Sequence, residues 1–319
     1  VSSGYRHSVA VKANGTLWTW GSGGAGRLGL GNDSNYSSPK QVGSSTVWNN
    51  IVGGFDFTIA TKTDGTLWSW GGNYFGQLGL NNVTYRSSPV QVGVLTTWNN
   101  VAAGYRFTVA TKTDGTLWSW GLNAYGKLGL GVGDYTNRSS PVQVGTLTTW
   151  NKVACGRSFA LATKTDGTLW SWGYNGTGQL GLGNTSQRPS PVQVGALTTW
   201  NNIDAGIGFR GHTVVTKTDG TLWAWGYNKF GQLGLGTYTP RSSPVQVGAL
   251  TDWNIPGCGG YFSAAIKTDG TAWSWGINNY GQLGLDNRTH RYSPNQVGAN
   301  TTWYKITCGF SNVLATTNL

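Results

Sequence analysis

The run Thr-Lys-Thr-Asp-Gly-Thr-Leu-Trp-Ser-Trp-Gly occurs unchanged at 61–71, 111–121 and 163–173, with close variants at 11–21, 216–226 and 266–276. Its turn glycines, Gly15, Gly65, Gly115, Gly167, Gly220 and Gly270, recur every 50 to 53 residues. A fixed period of this length means stacked supersecondary units, each burying its apolar face against the next.

The third unit gives the plan. Asn99 to Gly104 reads as a short first strand and Phe107 to Thr113 as a second. Asp114-Gly115 reads as a two-residue turn, since both central positions of such a turn favour positive φ and Asp and Gly tolerate it. Thr116 to Trp120 is the third strand. A glycine-rich loop over Gly121 to Ser140 leads to a fourth strand, Pro141 to Val144, whose proline suits an outer edge. A two-residue turn sets Thr111 opposite Trp118 and Val109 opposite Trp120 on a bulky face, with Ala110 opposite Ser119 and Lys112 opposite Leu117 on a smaller one. Nesting bulky face against small face around a ring gives a β-propeller. The expected fold is therefore all-β: a single domain over 1–319 of four-stranded antiparallel blades, in units of about 1–50, 51–100, 101–152, 153–202, 203–254 and 255–304, with a half unit at 305–319.

These units resemble repeats of the regulator-of-chromosome-condensation family. The residues that carry the resemblance are Gly-x-x-(His/Phe)-(Thr/Ser) at 4–8 and 104–108, the Asp-Gly hairpin, Trp-Gly, and Asn-x-x-Gly-Gln-Leu-Gly-Leu at 73–80, 175–182, 228–235 and 278–285. Lys127 replaces the glutamine at 123–130, and the first unit departs most, over Ser22 to Gly29. The resemblance covers essentially the whole chain and implies a propeller, seven-bladed in the best-known members. First and second strands occur seven times and third and fourth strands six times. Seven blades with an incomplete last one is the expectation; six blades plus an extra C-terminal strand pair is the alternative.

Charge points to one end of the ring. The net charge is +11, with 22 basic and 11 acidic residues, all of the latter aspartate. In an antiparallel blade the turns after the first and third strands share one end. That end receives Arg86, Arg138, Arg188, Arg241 and Arg291 from the outer strands and Arg106 and Arg157 from the first turns, so it carries nearly all the excess charge. A one-sided positive face attracts anionic partners. A second candidate site is an inter-blade pocket beside Trp98, Trp150, Trp200 and Trp253, able to take a sugar or peptide several times over. Sequons at Asn82, Asn137, Asn184 and Asn287 are candidate N-glycosylation positions.

Catalysis and metal binding find little support. His7 and His212 occupy the same turn position and read as structural hydrogen-bonding groups; His290 stands elsewhere. Cys155, Cys258 and Cys308 share one repeat position, read as small buried residues near the central channel, with a Cys258–Cys308 bridge as an alternative. They lack metal-ligand spacing, and no cofactor is expected. Five aspartates are committed to turns. No apolar run approaches the ~20 residues of a membrane helix.

The functional expectation is a non-enzymatic binding or scaffold propeller, exported, at a cell surface or in a virion, engaging a protein or glycan of anionic character. Nucleic acid is a weaker candidate, and homo-oligomerisation stays open. The resemblance implies an alternative: guanine-nucleotide exchange with chromatin binding, for which the chain offers no long projecting wedge. It also touches the plant ultraviolet-B receptors, which share the fold, but Tyr5 and Tyr105 stand where their motif has tryptophan.

Overall fold

The computed structural model describes residues 1–317; residues 318 and 319, the last two of the expected domain, lie outside that range. The first blade is β1 (Ser2–Ser3), β2 (His7–Val11), β3 (Leu17–Gly21) and β4 (Tyr36–Gln41). The second is β5 (Trp48–Gly53), β6 (Phe57–Lys62), β7 (Leu67–Gly71) and β8 (Arg86–Gln91). The third is β9 (Trp98–Ala103), β10 (Phe107–Lys112), β11 (Leu117–Gly121) and β12 (Arg138–Gln143). The fourth is β13 (Trp150–Cys155), β14 (Phe159–Lys164), β15 (Leu169–Gly173) and β16 (Arg188–Gln193). The fifth is β17 (Trp200–Ala205), β18 (His212–Lys217), β19 (Leu222–Gly226) and β20 (Arg241–Gln246). The sixth is β21 (Trp253–Cys258), β22 (Phe262–Lys267), β23 (Ala272–Gly276) and β24 (Arg291–Gln296). Each is a four-stranded antiparallel sheet in chain order.

The described residues end in a two-stranded sheet, β25 (Trp303–Cys308) and β26 (Val313–Thr317). The architecture is thus six blades plus a terminal strand pair, the alternative reading, and not seven full blades. The pair stays in the ring. β25 packs on β21 and β22 of the sixth blade, and both its strands meet β1 of the first. Asn312 donates to Ser3 Oγ at 3.2 Å across that junction.

The hairpin register differs from the expectation by one residue. Thr111 pairs with Leu117, Ala110 with Trp118, Val109 with Ser119 and Thr108 with Trp120. The loop has three residues rather than two. Lys112 N donates to Thr116 O and Gly115 N to Lys112 O, both at 3.0 Å. Only Gly115, at φ +75°, takes the left-handed conformation. Asp114 instead serves through its carboxylate, which accepts from Thr116 N at 2.9 Å and Thr116 Oγ1 at 2.6 Å. Thr116 Oγ1 in turn accepts from Trp118 Nε1 at 2.8 Å. The hydroxyl bond and the backbone bond hold the Asp114 carboxyl below its ordinary range. The extra loop residue moves the second strand's alternate side chains to the other face. Trp118 and Trp120 therefore share a face with Thr108 and Ala110, while Val109, Leu117 and Phe107 form an aliphatic and aromatic face opposite.

Blades nest tryptophan face to aliphatic face. Phe57, Ile59, Leu67, Leu78 and Val92 of the second blade pack against Trp98, Ala110 and Trp120 of the third, and the same cluster recurs around the ring. Trp70, Trp120, Trp172, Trp225 and Trp275 are fully buried. Each of their indole N–H groups donates to a carbonyl in the preceding blade's loop: Arg27, Gln77, Lys127, Gln179 and Gln232, at 2.9–3.1 Å. Gly79, at φ +72°, sits under Trp120, where a Cβ would lie 2.8 Å from the indole nitrogen. Deleting a buried indole of this kind costs about 3–5 kcal/mol. Trp172→Ala is accordingly expected to lower the urea-unfolding free energy by that amount, and a loss under 1 kcal/mol would contradict this packing.

Candidate functional site

The turns after the first strand of each blade converge over the central channel. Each contains a glycine that closes a backbone bond to the second strand, as Gly104 N does to Phe107 O at 2.9 Å, and aromatic or arginine side chains that follow it in the turn meet those of neighbouring turns. Those side chains form a nearly closed ring. Tyr261 lies 6.1 Å from Phe310, Phe310 4.7 Å from Tyr5, Tyr5 4.4 Å from Phe55 and Phe55 4.6 Å from Tyr105, between ring centroids. The Arg157 guanidinium continues the series, 4.2 Å from the Tyr105 centroid and 3.8 Å from that of Phe209. Such stacking orients the arginine through the ring quadrupole. Phe209 itself is 59% exposed and rises from the longest of these turns, Ile207 to Gly211.

Arginines surround this cap. Arg6 and Arg210 are exposed, and Arg106 is half-buried, with its Nε 3.5 Å from Asp56 Oδ2. Arg106 also lies over Tyr105, Phe75 and Tyr74, at 5.0–5.5 Å. Burial raises the Asp56 carboxyl's pKa, against the opposing pull of Arg106 and Arg27. Beneath the cap is a residue that the sequence reading noted only as a departure. Lys127 is 1% exposed and its Nζ donates to Tyr105 O at 3.0 Å. Burial, reinforced by Arg157 and Arg106, lowers its pKa to about 7. Its counterparts in four other blades are glutamines whose Oε1 accepts a backbone N–H, as Gln77 does from Phe75, and the first blade has Arg27 there.

The five remaining predicted arginines form a separate group. Arg86, Arg138, Arg188, Arg241 and Arg291 each open an outer strand opposite the glycine that ends the third strand. All are half-buried on the rim, at the same end of the ring as Arg106 and Arg157 but away from the axis. Arg138 pairs with Asp134. Arg86 and Arg188 line equivalent inter-blade grooves of about 630 and 530 Å³. Trp98 lies in the first groove and Trp200 in the second, yet both rings are only 4–5% exposed. Trp98, Trp150, Trp200 and Trp253 each pack edge-on against two indoles of their own blade, at 5.7–6.3 Å. The half-buried Trp118 and Trp223 line the same two grooves beside Trp98 and Trp200 and are the more exposed rings.

The sequon amides are engaged in loop turns. Asn82, Asn184 and Asn287 donate to the carbonyls of Leu80, Leu182 and Leu285, and accept from Thr84, Ser186 and Thr289. Asn137 is exposed and accepts from Asn123 N at 2.9 Å.

The histidines and cysteines are structural. His7 Nε2 meets Thr58 Oγ1 at 2.9 Å and His212 Nε2 meets Ser263 Oγ at 2.8 Å. Each hydroxyl donates to a loop carbonyl, so it accepts from the ring nitrogen. Burial lowers both imidazole pKa values to about 3, and the rings are neutral. Cys155, Cys258 and Cys308 are buried free thiols lining a channel cavity of about 180 Å³, so the Cys258–Cys308 bridge does not form. Burial pushes all three thiols up, away from reactivity. Asp204 faces the same cavity and accepts from Cys258 N at 2.7 Å and Ala205 N at 2.9 Å; burial raises it to about 6. Among the described residues no group of three or more His, Cys, Asp or Glu is placed to hold a metal ion. No helix among them is long and apolar enough to cross a membrane.

With this geometry in place, comparison with known proteins is decisive for the family. The profile of the RCC1-like domain matches residues 1–211, and that of the Regulator of chromosome condensation (RCC1) repeat matches 219–266 and 269–315. The chain belongs to this RCC1-like family. Its fold is similar to that of human WBSCR16, with a TM-score of 0.86, 22% identity, and 98% of this chain and 85% of that one covered. It is equally similar to Prp20p of Saccharomyces cerevisiae, with a TM-score of 0.86, 19% identity and coverage of 98% and 81%; that structure is described with binding properties to Gsp1p and histones. A stretch of 36 residues is 53% identical to the ultraviolet-B receptor UVR8 of Arabidopsis thaliana, covering 11% of this chain and 8% of that protein.

Lys127 makes this RCC1-like propeller's stability depend on pH. Its folded pKa of about 7 lies below the unfolded value near 10.5, so between these the unfolded chain binds the extra proton. Stability contributed at this site should therefore rise as pH increases from about 7 to about 10. Lys127→Gln should flatten that rise in melting temperature; an unchanged slope would show that the amine is not desolvated.

Proposed function

We propose that the chain is a non-enzymatic binding propeller whose channel-mouth cap engages an acidic segment of a protein partner. The observation that carries this reading is the Tyr105–Arg157–Phe209 stack, set among Arg6, Arg106 and Arg210. Apolar rings with fixed guanidinium groups supply both contact area and charge, the pairing enriched at protein interfaces. Among the described residues Asp56 is the carboxylate paired with these arginines, and it is buried against Arg106. Family membership supports a binding propeller, and the yeast relative's protein partners agree with a protein ligand. Nucleotide exchange of the namesake type is the weaker reading: the longest first turn projects only Phe209 and Arg210.

The test is titration with poly-glutamate, followed by calorimetry at increasing salt. Binding should weaken as salt screens the exposed arginines. The Arg6→Ala, Arg157→Ala, Arg210→Ala triple variant should bind at least tenfold more weakly with an unchanged melting temperature. Equal affinity of the variant, or tighter arginine-dependent binding to duplex DNA than to poly-glutamate, would remove the acidic-protein reading.

A further inference from the structure

Two of the rim grooves carry cations that the chain does not pair. The groove between the second and third blades is lined by Arg86 and Lys112, and that between the fourth and fifth by Arg188. Lys217 stands at the second groove, its Nζ 3.7 Å from the centroid of Trp223, as Lys112 Nζ stands 3.6 Å from that of Trp118. The two lysines are only 7% and 8% exposed. A cation so enclosed ordinarily has a partner. Among the described residues none of these four side chains pairs with a carboxylate. Asp114 and Asp219, on the lysines' own turns, are held by Thr116 and Thr221 instead. Alternate junctions show how the chain satisfies the same positions. Between the third and fourth blades Arg138, the counterpart of Arg86, pairs with Asp134. Between the fifth and sixth, Lys267, the counterpart of Lys112, has its Nζ 3.2 Å from Asp252 Oδ2.

We propose that these two grooves bind an acidic oligosaccharide of the uronate class, whose carboxylates take the places that Asp134 and Asp252 fill in the alternate junctions. The grooves, of about 630 and 530 Å³, have the size and the mixed apolar and polar walls of ligand sites. Arg86 opens β8 at the channel-mouth end, whereas Lys112 closes β10 at the other. From Arg86 to Gln91 the strand runs about 16 Å, so a chain of sugar units, rather than one small acid, spans both cations. A pyranose has an apolar C–H face and a hydroxyl rim. The half-buried Trp118 and Trp223 suit the former. Gln91 and Gln193 suit the latter: their amides make no hydrogen bond among the described residues, whereas Gln41 and Gln296 donate to glycine carbonyls of their own turns. A peptide main chain fits less well. Pro141 and Pro244 in the groove walls have no N–H, and the neighbouring carbonyls of Ser139 and Ser242 are taken by Asn81 N and Gly183 N, each at 2.8 Å. Two like sites on one rim also suit a polymer that repeats its charged unit. This surface is separate from the channel-mouth cap, and the proposal does not depend on the function assigned there.

The probe is a galacturonate hexamer, titrated calorimetrically into the whole protein beside its methyl ester and hexaglutamate. The hexamer should bind at two equivalent sites per chain. Its methyl ester, which keeps the sugar and removes the charge, should bind at least about tenfold more weakly. Thr97 and Thr199 are exposed and precede Trp98 and Trp200 as Asp252 precedes Trp253. The Thr97→Asp, Thr199→Asp variant therefore gives each lysine a carboxylate from the chain itself. It should keep its melting temperature and lose at least about tenfold in affinity for the hexamer. Arg86→Gln with Arg188→Gln, at the far ends of the grooves, should weaken binding in the same way. The Arg6→Ala, Arg157→Ala, Arg210→Ala variant should bind the hexamer as the parent does, which separates these sites from the cap. The proposal fails if the hexamer does not bind, if the ester binds equally, if both groove variants bind as the parent does, or if the cap variant loses binding. Tighter binding of hexaglutamate, lost in the Thr97→Asp, Thr199→Asp variant, would mark a peptide as the occupant and overturn it as well.

Discussion

A single loop carbonyl joins most neighbouring blades. Gln77 O accepts from both Trp120 Nε1 and Thr108 Oγ1, and Gln179 O and Gln232 O do the same in their own junctions. A buried carbonyl has two lone pairs, and leaving either wall's donors unpaired would be costly. The bond fixes the depth of the indole, and the indole in turn requires the glycine beneath it. Blade spacing, the twist of the ring and the invariance of Trp and Gly in the repeat follow from this one contact. Where an alanine replaces the hydroxyl, at Ala160, the indole of Trp172 bonds to the Lys127 carbonyl without that second donor.

That uniform scaffold separates structure from function along each blade. The strands repeat almost without change because both faces are buried. The turns over the channel mouth differ from blade to blade, carrying Tyr, Phe, Arg or a longer insert. Their side chains need only reach the axis, so sequence varies there without disturbing the junctions. The channel cysteines and the two hydroxyl-linked histidines belong to the scaffold, since burial keeps the thiols protonated and the imidazoles neutral. At Lys127 a scaffold position carries an ionisable group directly beneath the variable surface, and the first blade carries Arg27 at the same position.

Much of this was legible in the chain. The repeat, the four strands per unit, the turn glycines and the structural histidines were all readable from residue type and spacing. The hairpin register was not. Asp-Gly suits both a two-residue and a three-residue loop, and the choice turned on Asp114 capping Thr116 rather than taking a left-handed φ. The arginines were readable as one-sided, but not that Arg157 would stack between Tyr105 and Phe209 while Arg86 and Arg188 line rim grooves. Lys127 carried a signal, the loss of a repeated glutamine, whose meaning depended on burial.

The sequence by itself determined a toroid of β-blades, because a period near fifty with paired indoles and small residues has no other way to bury both faces of each sheet. The tertiary structure decided which residues meet: the aromatic ring at the channel mouth, the buried amine beneath it and the contact of β25 and β26 with β1. Local periodicity sets what each unit must bury. Contacts between turns some fifty residues apart, and between the two ends of the chain, exist only once the ring brings them together.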